Sequence, residues 1–238
     1  MPGTLPPDDA DPRPLRLVLV DDDPLTRAAV RAYLVPAQRY TVLAEASDGI
    51  EAIDAVAQHA PDVVLMDLGM PRLDGVEATR RICAAPSHPA VVVLTTWDVD
   101  DAVVRAVEAG ATGYLLKVEV PEQLEATLER VRTGEPALSA QAMRQLLAHV
   151  RSRAGAGANA GAQPVAGAER ITGREREVLG HLARGLTNEE IGTELFVSAS
   201  TVKSHVTSAM EKLGARNRTH LAVLAERAGL TQEETAGA

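Results

Sequence analysis

Short unbroken apolar blocks mark the first half of the chain, each closed by a polar residue and followed by an amphipathic stretch. Leu15 to Val20 runs into Asp21-Asp22-Asp23, and a helical pattern from Pro24 to Leu34 follows. Tyr40 to Ala46 precedes a helical Gly49 to His59. Asp62 to Met66 ends at Asp67, with a helix from Asp74 to Cys83. Ala90 to Leu94 ends at Thr95-Thr96, with a helix from Asp98 to Ala109 that Gly110 stops. Thr112 to Leu116 ends at Lys117, with a last helix from Pro121 to Arg132. Apolar runs of this length bounded by turn residues read as buried strands. Five strands alternating with five helices predict a parallel sheet covered on both faces. A doubly wound order of 2-1-3-4-5 with right-handed crossovers is expected.

Beyond Gly134 the pattern changes, and from Ile171 every signal is helical. Ser139 to Val150 forms one pattern, and the Ala/Gly-rich residues 151–168 read as a flexible linker, too poor in large apolar groups to offset ordering entropy. Thr172 to Glu175 and Thr187 to Glu190 are two capping boxes. They open helices that end near Arg184 and Leu195. After the tight turn Phe196-Val197-Ser198, a third helix capped by Ser198 or Ser200 runs to Leu213, and a fourth spans about Thr219 to Ala228. Two short helices across a tight turn have helix-turn-helix spacing. The expected division is a disordered leader at 1–14, an α/β domain at 15–134, a linker at 135–169, a four-helix all-α domain at 170–232 and a tail at 233–238.

Composition narrows the class. Hydrophobic residues make up 45% but aromatics only 2%, so the core is aliphatic. Cys83 is the single cysteine, which excludes an internal disulfide or a cysteine-based zinc site. No apolar run is long enough for a membrane helix, and the acidic, Pro-rich start is unlike a signal peptide, so a cytoplasmic protein is expected. The net charge of −9 lies in residues 1–169, with 15 basic and 24 acidic residues; residues 170–238 hold nine of each. Any DNA binding by the second domain must therefore come from local placement of charge.

The chemistry gathers at one sheet edge. Asp21, Asp22, Asp67, Thr95 and Lys117 all end strands on the side where open α/β sheets bind ligands. Three clustered carboxylates call for a hard cation such as Mg²⁺, leaving one carboxylate as a nucleophile for phosphoryl transfer. Lys117 and Thr95 would hold phosphoryl oxygens. Asp23 and Asp74 read as helix caps instead. In the second domain, Val202, Val206, Ala209, Met210 and Leu213 form a buried stripe. The opposite face carries Ser200, Lys203, Ser204, Thr207 and Ser208, residues suited to phosphates and base edges.

These residues carry a resemblance. Asp21-Asp22, Asp67-x-x-Met70-Pro71-x-x-Asp74-Gly75, Thr95 and Tyr114-x-x-Lys117 resemble the flavodoxin-like receiver domain of two-component response regulators. Residues 171–230 resemble the LuxR-type helix-turn-helix, through Thr172-x-Arg174-Glu175, Gly185-Leu186-Thr187-Asn188 and Thr201-Val202-Lys203-x-His205-Val206. The order of the two domains is that of NarL/LuxR-family regulators. The resemblance implies that Asp67 accepts a phosphoryl group from a sensor histidine kinase. It implies Mg²⁺ on Asp22, Asp67 and the Gly69 carbonyl, with Asp21 assisting, and Thr95 and Tyr114 as a switch pair. It also implies double-stranded promoter DNA read by Lys203, Ser204 and Thr207 with Ser200 and Thr201, dimers on phosphorylation, and a regulator rather than an enzyme. Trp97 stands where Phe is usual, Val118 where Asp is common, and Thr207 where a basic residue is frequent. The alternative is a phosphorylation-independent DNA-binding regulator whose receiver serves dimerisation or ligand sensing. An aspartate-nucleophile phosphatase would need a second Asp where Gly69 stands.

Overall fold

The computed structural model describes residues 13–34, 39–96, 101–133, 135, 137–156 and 165–231. The receiver half alternates as the sequence predicts, with β1 (Leu15–Val20), α1 (Pro24–Leu34), β2 (Tyr40–Ala46), α2 (Gly49–His59) and β3 (Val63–Asp67). It continues with α3 (Gly75–Ile82), β4 (Ala90–Thr95), α4 (Asp101–Ala109), β5 (Gly113–Leu116) and α5 (Val120–Arg132). All strand pairs are parallel, in the order β2-β1-β3-β4-β5. Side chains along each strand alternate between the two faces. Leu17, Leu19, Val63 and Leu65 meet Val30, Leu34, Leu124 and Leu128 on one face. Val18, Val20, Val64 and Met66 meet Ala52, Ala55, Ala78 and Ile82 on the other. With both faces covered the strands need no polar alternation, which is why they read as continuous apolar runs.

Several boundaries move. β3 starts at Val63 rather than Asp62 and takes in Asp67, which pairs with Leu94 of β4. A 3₁₀ turn at Lys117–Glu119 follows β5 and α5 begins at Val120. The expected α4 start at Asp98 and the Trp97 departure fall outside the described residues, and the described helix begins at Asp101. Arg13 belongs to the domain rather than to a leader, since its guanidinium grips Asp62 at 2.8 Å. The rest of the expected leader and the tail lie outside the described residues.

The larger correction concerns the linker. The helix expected to stop at Val150 continues as α6 (Ala140–Ala156), because alanine is the strongest helix former and Arg-Ser-Arg-Ala-Gly-Ala is rich enough in such residues to propagate it. Residues 157–164 of the expected flexible segment are outside the described residues. From Val165 the chain is packed again: Val165 and Ala168 lie against the helical core. That domain comprises α7 (Gly173–Ala183), α8 (Asn188–Leu195), α9 (Ala199–Leu213) and α10 (Arg218–Arg227). Both capping boxes form, at Thr172/Glu175 and Thr187/Glu190. Ser198 caps α9 and Asn217 caps α10.

The two halves share a core. Val103, Val107 and Tyr114 of the receiver, Met143, Leu146 and Leu147 of α6, and Val178, Leu182 and Leu221 of the helical domain belong to one contiguous apolar cluster. Polar ties reinforce it at the α4–β5 turn. Asn217 Nδ2 donates to the Gly110 and Ala111 carbonyls at 2.8 and 3.1 Å. Arg216 donates to the Ala109 carbonyl, and the Thr219 hydroxyl to that of Thr112. Arg227 pairs with Glu108, and Arg151 with Glu226 at 3.1 Å. No helix among the described residues is long and apolar enough to cross a membrane.

Candidate phosphoacceptor pocket and nucleic-acid interface

Asp67 is the last residue of β3, and β1 ends one residue before Asp21, so the parallel register sets their carboxyl groups side by side. Asp22 joins them: the three carboxylates offer oxygens that all lie within 4.8 Å of one another. Asp21 and Asp67 are 2% and 7% exposed, whereas Asp22 is open to solvent. Lys117, the first residue after β5, reaches across with Nζ 2.6 Å from Asp21 and 3.0 Å from Asp67. Burial raises the Asp67 carboxyl above its ordinary value; Lys117 pulls it down, and Asp21 and Asp22 add to the rise. For Lys117, burial disfavours the ammonium, but its bonds to Asp21 and Asp67 outweigh this and its pKa is raised. One ammonium cannot neutralise three clustered carboxylates. The excess negative charge, presented as hard oxygen donors on one partly open edge, fits a divalent cation of the Mg²⁺ class.

The remaining expected residues stand around this pocket. Thr95 ends β4 at 7% exposure and pairs in register with Leu116. Gly69 sits on the exposed loop two residues after Asp67. Tyr114 is buried in β5 and its hydroxyl donates to the Ala142 carbonyl of α6 at 3.2 Å, so the inward ring already touches the helix that leads to the second domain. Asp23 and Asp74 are caps, as expected: Asp23 accepts from the Leu25 amide and the Thr26 hydroxyl, and Asp74 from the Glu77 amide.

Two supporting residues, Arg72 and Arg27, were not legible, and a third, Gly75, stood in the motif without its steric reason. Arg72 adopts a left-handed φ of 62° and pairs with the fully buried Asp48 and with Glu51, fastening the loop after Asp67 to α2. Nothing in its sequence context marks it. Arg27 donates to the Asp21 carbonyl and pairs with Glu45 at 3.1 Å. Gly75 opens α3 where a Cβ would come 2.0 Å from the Asp67 carbonyl oxygen. Only a residue without a side chain lets that loop close on the strand. Gly75→Ala is expected to destabilise the chain by about 1–3 kcal/mol, the usual cost of overpacking, read as a lower denaturation midpoint. An unchanged midpoint would mean that the close approach is not enforced.

The helical domain holds the second site. Ser200, Thr201, Lys203, Ser204 and Thr207 of α9 are all exposed, while Val202, Val206, Ala209 and Leu213 are buried beneath them. Ser208 departs from the expected polar face: it is half-buried and donates to Glu175 at 2.7 Å. Glu175 does more than cap α7. Lys212 Nζ lies 2.6 Å from its Oε1, which locks α9 onto α7. Burial disfavours the Glu175 carboxylate, yet hydrogen bonds from Lys212, Thr172 and Ser208 outweigh it and hold the pKa down to about 2. Arg174 donates to the Leu195 carbonyl and Arg218 to that of Leu186, fixing the ends of α8. His205 is half-buried, as expected. The receiver does not cover the α9 residues named here. It is α10 that is enclosed, with Leu221, Ala222, Val223 and Ala225 fully buried.

Comparison with known proteins agrees with this arrangement. The response regulator receiver domain family matches residues 17–129, and the luxR family of bacterial regulatory proteins matches residues 169–225. The chain is 39% identical to the transcriptional regulatory protein LiaR of Bacillus subtilis, over 90% of this chain and 97% of that protein. It is 32% identical to the nitrate/nitrite response regulator protein NarL of Escherichia coli, over 88% of this chain and 94% of that protein. Among solved structures, a two-component response regulator of the LuxR family from Aurantimonas sp. is 32% identical with a TM-score of 0.53, covering 59% of this chain and 99% of that one. A five-stranded receiver joined to a LuxR-type helix-turn-helix, with full-length relatives of this kind, makes the chain a member of the NarL/LiaR-type two-component response regulators, a family of DNA-binding transcriptional regulators.

Proposed function

We propose that this regulator is switched by phosphorylation of Asp67 and then binds promoter DNA as a dimer. The observation that carries the reading is the bridge of Lys117 between Asp21 and Asp67, inside a pocket with more carboxylates than one ammonium can neutralise. Asp67 attacks the phosphorus of a phosphohistidine on a sensor histidine kinase; the new oxygen–phosphorus bond forms as the phosphorus–nitrogen bond breaks. Asp21, Asp22 and Asp67, with the Gly69 carbonyl, would hold Mg²⁺, which supplies charge neutralisation for the transferring group. Lys117 passes from the carboxylates to a phosphoryl oxygen, and the Thr95 hydroxyl, at the adjacent strand end, moves to another.

Two contacts carry that movement to α6. Tyr114 is bonded to the Ala142 carbonyl. Asp101, at the start of α4, pairs with His149 at 2.9 Å and with Arg153. A shift of β4, β5 or α4 therefore strains α6, against which α10 is packed. Release of α10 would expose Leu221, Val223 and their neighbours, and a helix with apolar residues on several sides seeks a new partner. In a dimer that partner is the same helix of a second chain, placing two copies of α9 for a two-fold DNA site. Reversing a 1:99 equilibrium needs about 5.5 kcal/mol of differential stabilisation, within reach of one phosphoryl group held by a cation and Lys117.

The test is intact-mass spectrometry and sedimentation with acetyl phosphate and Mg²⁺. One added phosphoryl group and a monomer-to-dimer shift are expected. A dimer that forms equally without modification would favour the phosphorylation-independent alternative.

A further inference from the structure

A cavity of about 780 Å³ lies between α6, α7 and the end of α10. Its walls are basic. Arg144 and Arg151 project from α6, and Arg176, His181 and Arg184 from α7 and its C-cap. Two acids also line it, and both are engaged. Glu226 takes Arg151 and the Thr231 hydroxyl, and Glu177 takes Arg174, which is not part of the lining. His181 and Arg184 share Glu194 from outside the cavity. Arg144 and Arg176 make no ion pair or side-chain hydrogen bond among the described residues. Each wall thus keeps one uncompensated guanidinium beside a second, partly neutralised one.

The volume is also unclaimed by packing. Gly180 stands inside α7, where glycine costs stability relative to alanine. Close packing does not require it: a Cβ there would meet only the Thr231 carbonyl oxygen, at 3.9 Å. A Cβ on Gly173, the first residue of α7 and also part of the lining, would meet nothing within 4 Å. Side chains at these two places would extend into space that the cavity occupies, and at Gly180 the helix gives up stability without a packing reason.

We infer that this cleft binds a small molecule bearing at least two phosphate groups. Guanidinium forks match phosphate oxygens two at a time. Arginines offered by two different helices suit an anion with more than one charged group, and the volume falls in the range of about 300–1,000 Å³ typical of small-ligand sites. A single inorganic phosphate would leave most of it empty. A ligand so held clamps α6 to α7 and stabilises the enclosed arrangement of α10. Its binding is independent of Asp67 chemistry; only its effect on DNA affinity rests on the proposed switch.

The full chain would be titrated calorimetrically with pyrophosphate, ATP and inorganic phosphate at matched ionic strength, in EDTA so that the acidic pocket takes no metal. Saturable one-site binding of pyrophosphate or ATP is expected, with inorganic phosphate at least ten-fold weaker. The double variant Arg144→Gln/Arg176→Gln should lose at least ten-fold in affinity with an unchanged melting curve in the absence of ligand. The pair Arg80→Gln/Arg81→Gln on α3 should bind as the wild type does. Absence of saturable binding, or equal binding by the cleft variant, overturns the assignment. If that variant instead weakens DNA binding and flattens its salt dependence while pyrophosphate has no effect, the arginines contact the DNA backbone and the proposal fails. Any of these failures leaves phosphorylation of Asp67 to be judged on its own measurement.

Discussion

Asp67→Asn is expected to take up no phosphoryl group from acetyl phosphate or from a phosphorylated kinase, while retaining its fold. The amide keeps the shape of the carboxylate but lacks the anionic oxygen that must bond to phosphorus. Burial and the two neighbouring acids already disfavour the charge at this position, so its removal should leave the melting temperature at or above that of the wild type. Loss of labelling with preserved stability separates chemistry from folding. Labelling at the wild-type level would move the acceptor elsewhere, and Asp22, exposed on the same edge, would be examined next.

Glu175→Ala should produce the largest loss of stability. The carboxylate is 3% exposed and is held by Lys212, Ser208 and the Thr172 amide. Removing one partner of a buried ion pair costs about 3–5 kcal/mol, because Lys212 is left without its counter-charge and α7 loses its capping box. Titration gives a second view of the same group. Its pKa drops from the ordinary 4.5 to about 2 on folding, which corresponds to about 3 kcal/mol at 1.36 kcal/mol per unit. A carboxylate with a depressed folded pKa contributes that stability in full above pH 4.5 and loses it as the pH falls towards 2. Chemical denaturation at pH 6 and pH 3 should therefore show a wild-type decline larger than that of the variant. Parallel declines would mean that Glu175 does not carry this linkage.

Much of the fold was legible because its determinants are local. Fully buried parallel strands impose apolar runs, and the acids, hydroxyl and lysine that end them fall on one edge by topology alone. Thr172 with Glu175, and Thr187 with Glu190, announce helix starts through backbone bonding within four residues. What was not legible depends on contacts distant in sequence. Arg216, Asn217 and Thr219 bind carbonyls 106 or 107 residues away, and carbonyl acceptors carry no side-chain signature. Ser208 looked like part of a solvent-facing row because helical periodicity cannot show that Glu175 stands beside it. Residues 151–168 lack large apolar groups and so resemble a flexible connector by composition, but alanine's helix preference continues α6 to Ala156.

That continuation changes where the molecule can be cut. By composition the natural splice point for a chimaera lies at Gly134, after the last receiver helix. Met143, Leu146, Leu147 and Val150 would then be carried away from the receiver on α6, and the receiver face they cover at α4 would be laid bare. The effective seam lies after Ala156. A receiver exchanged into another regulator travels with α6 as its own last helix, and a transplanted DNA-binding unit needs a host whose equivalent helix can accept α10.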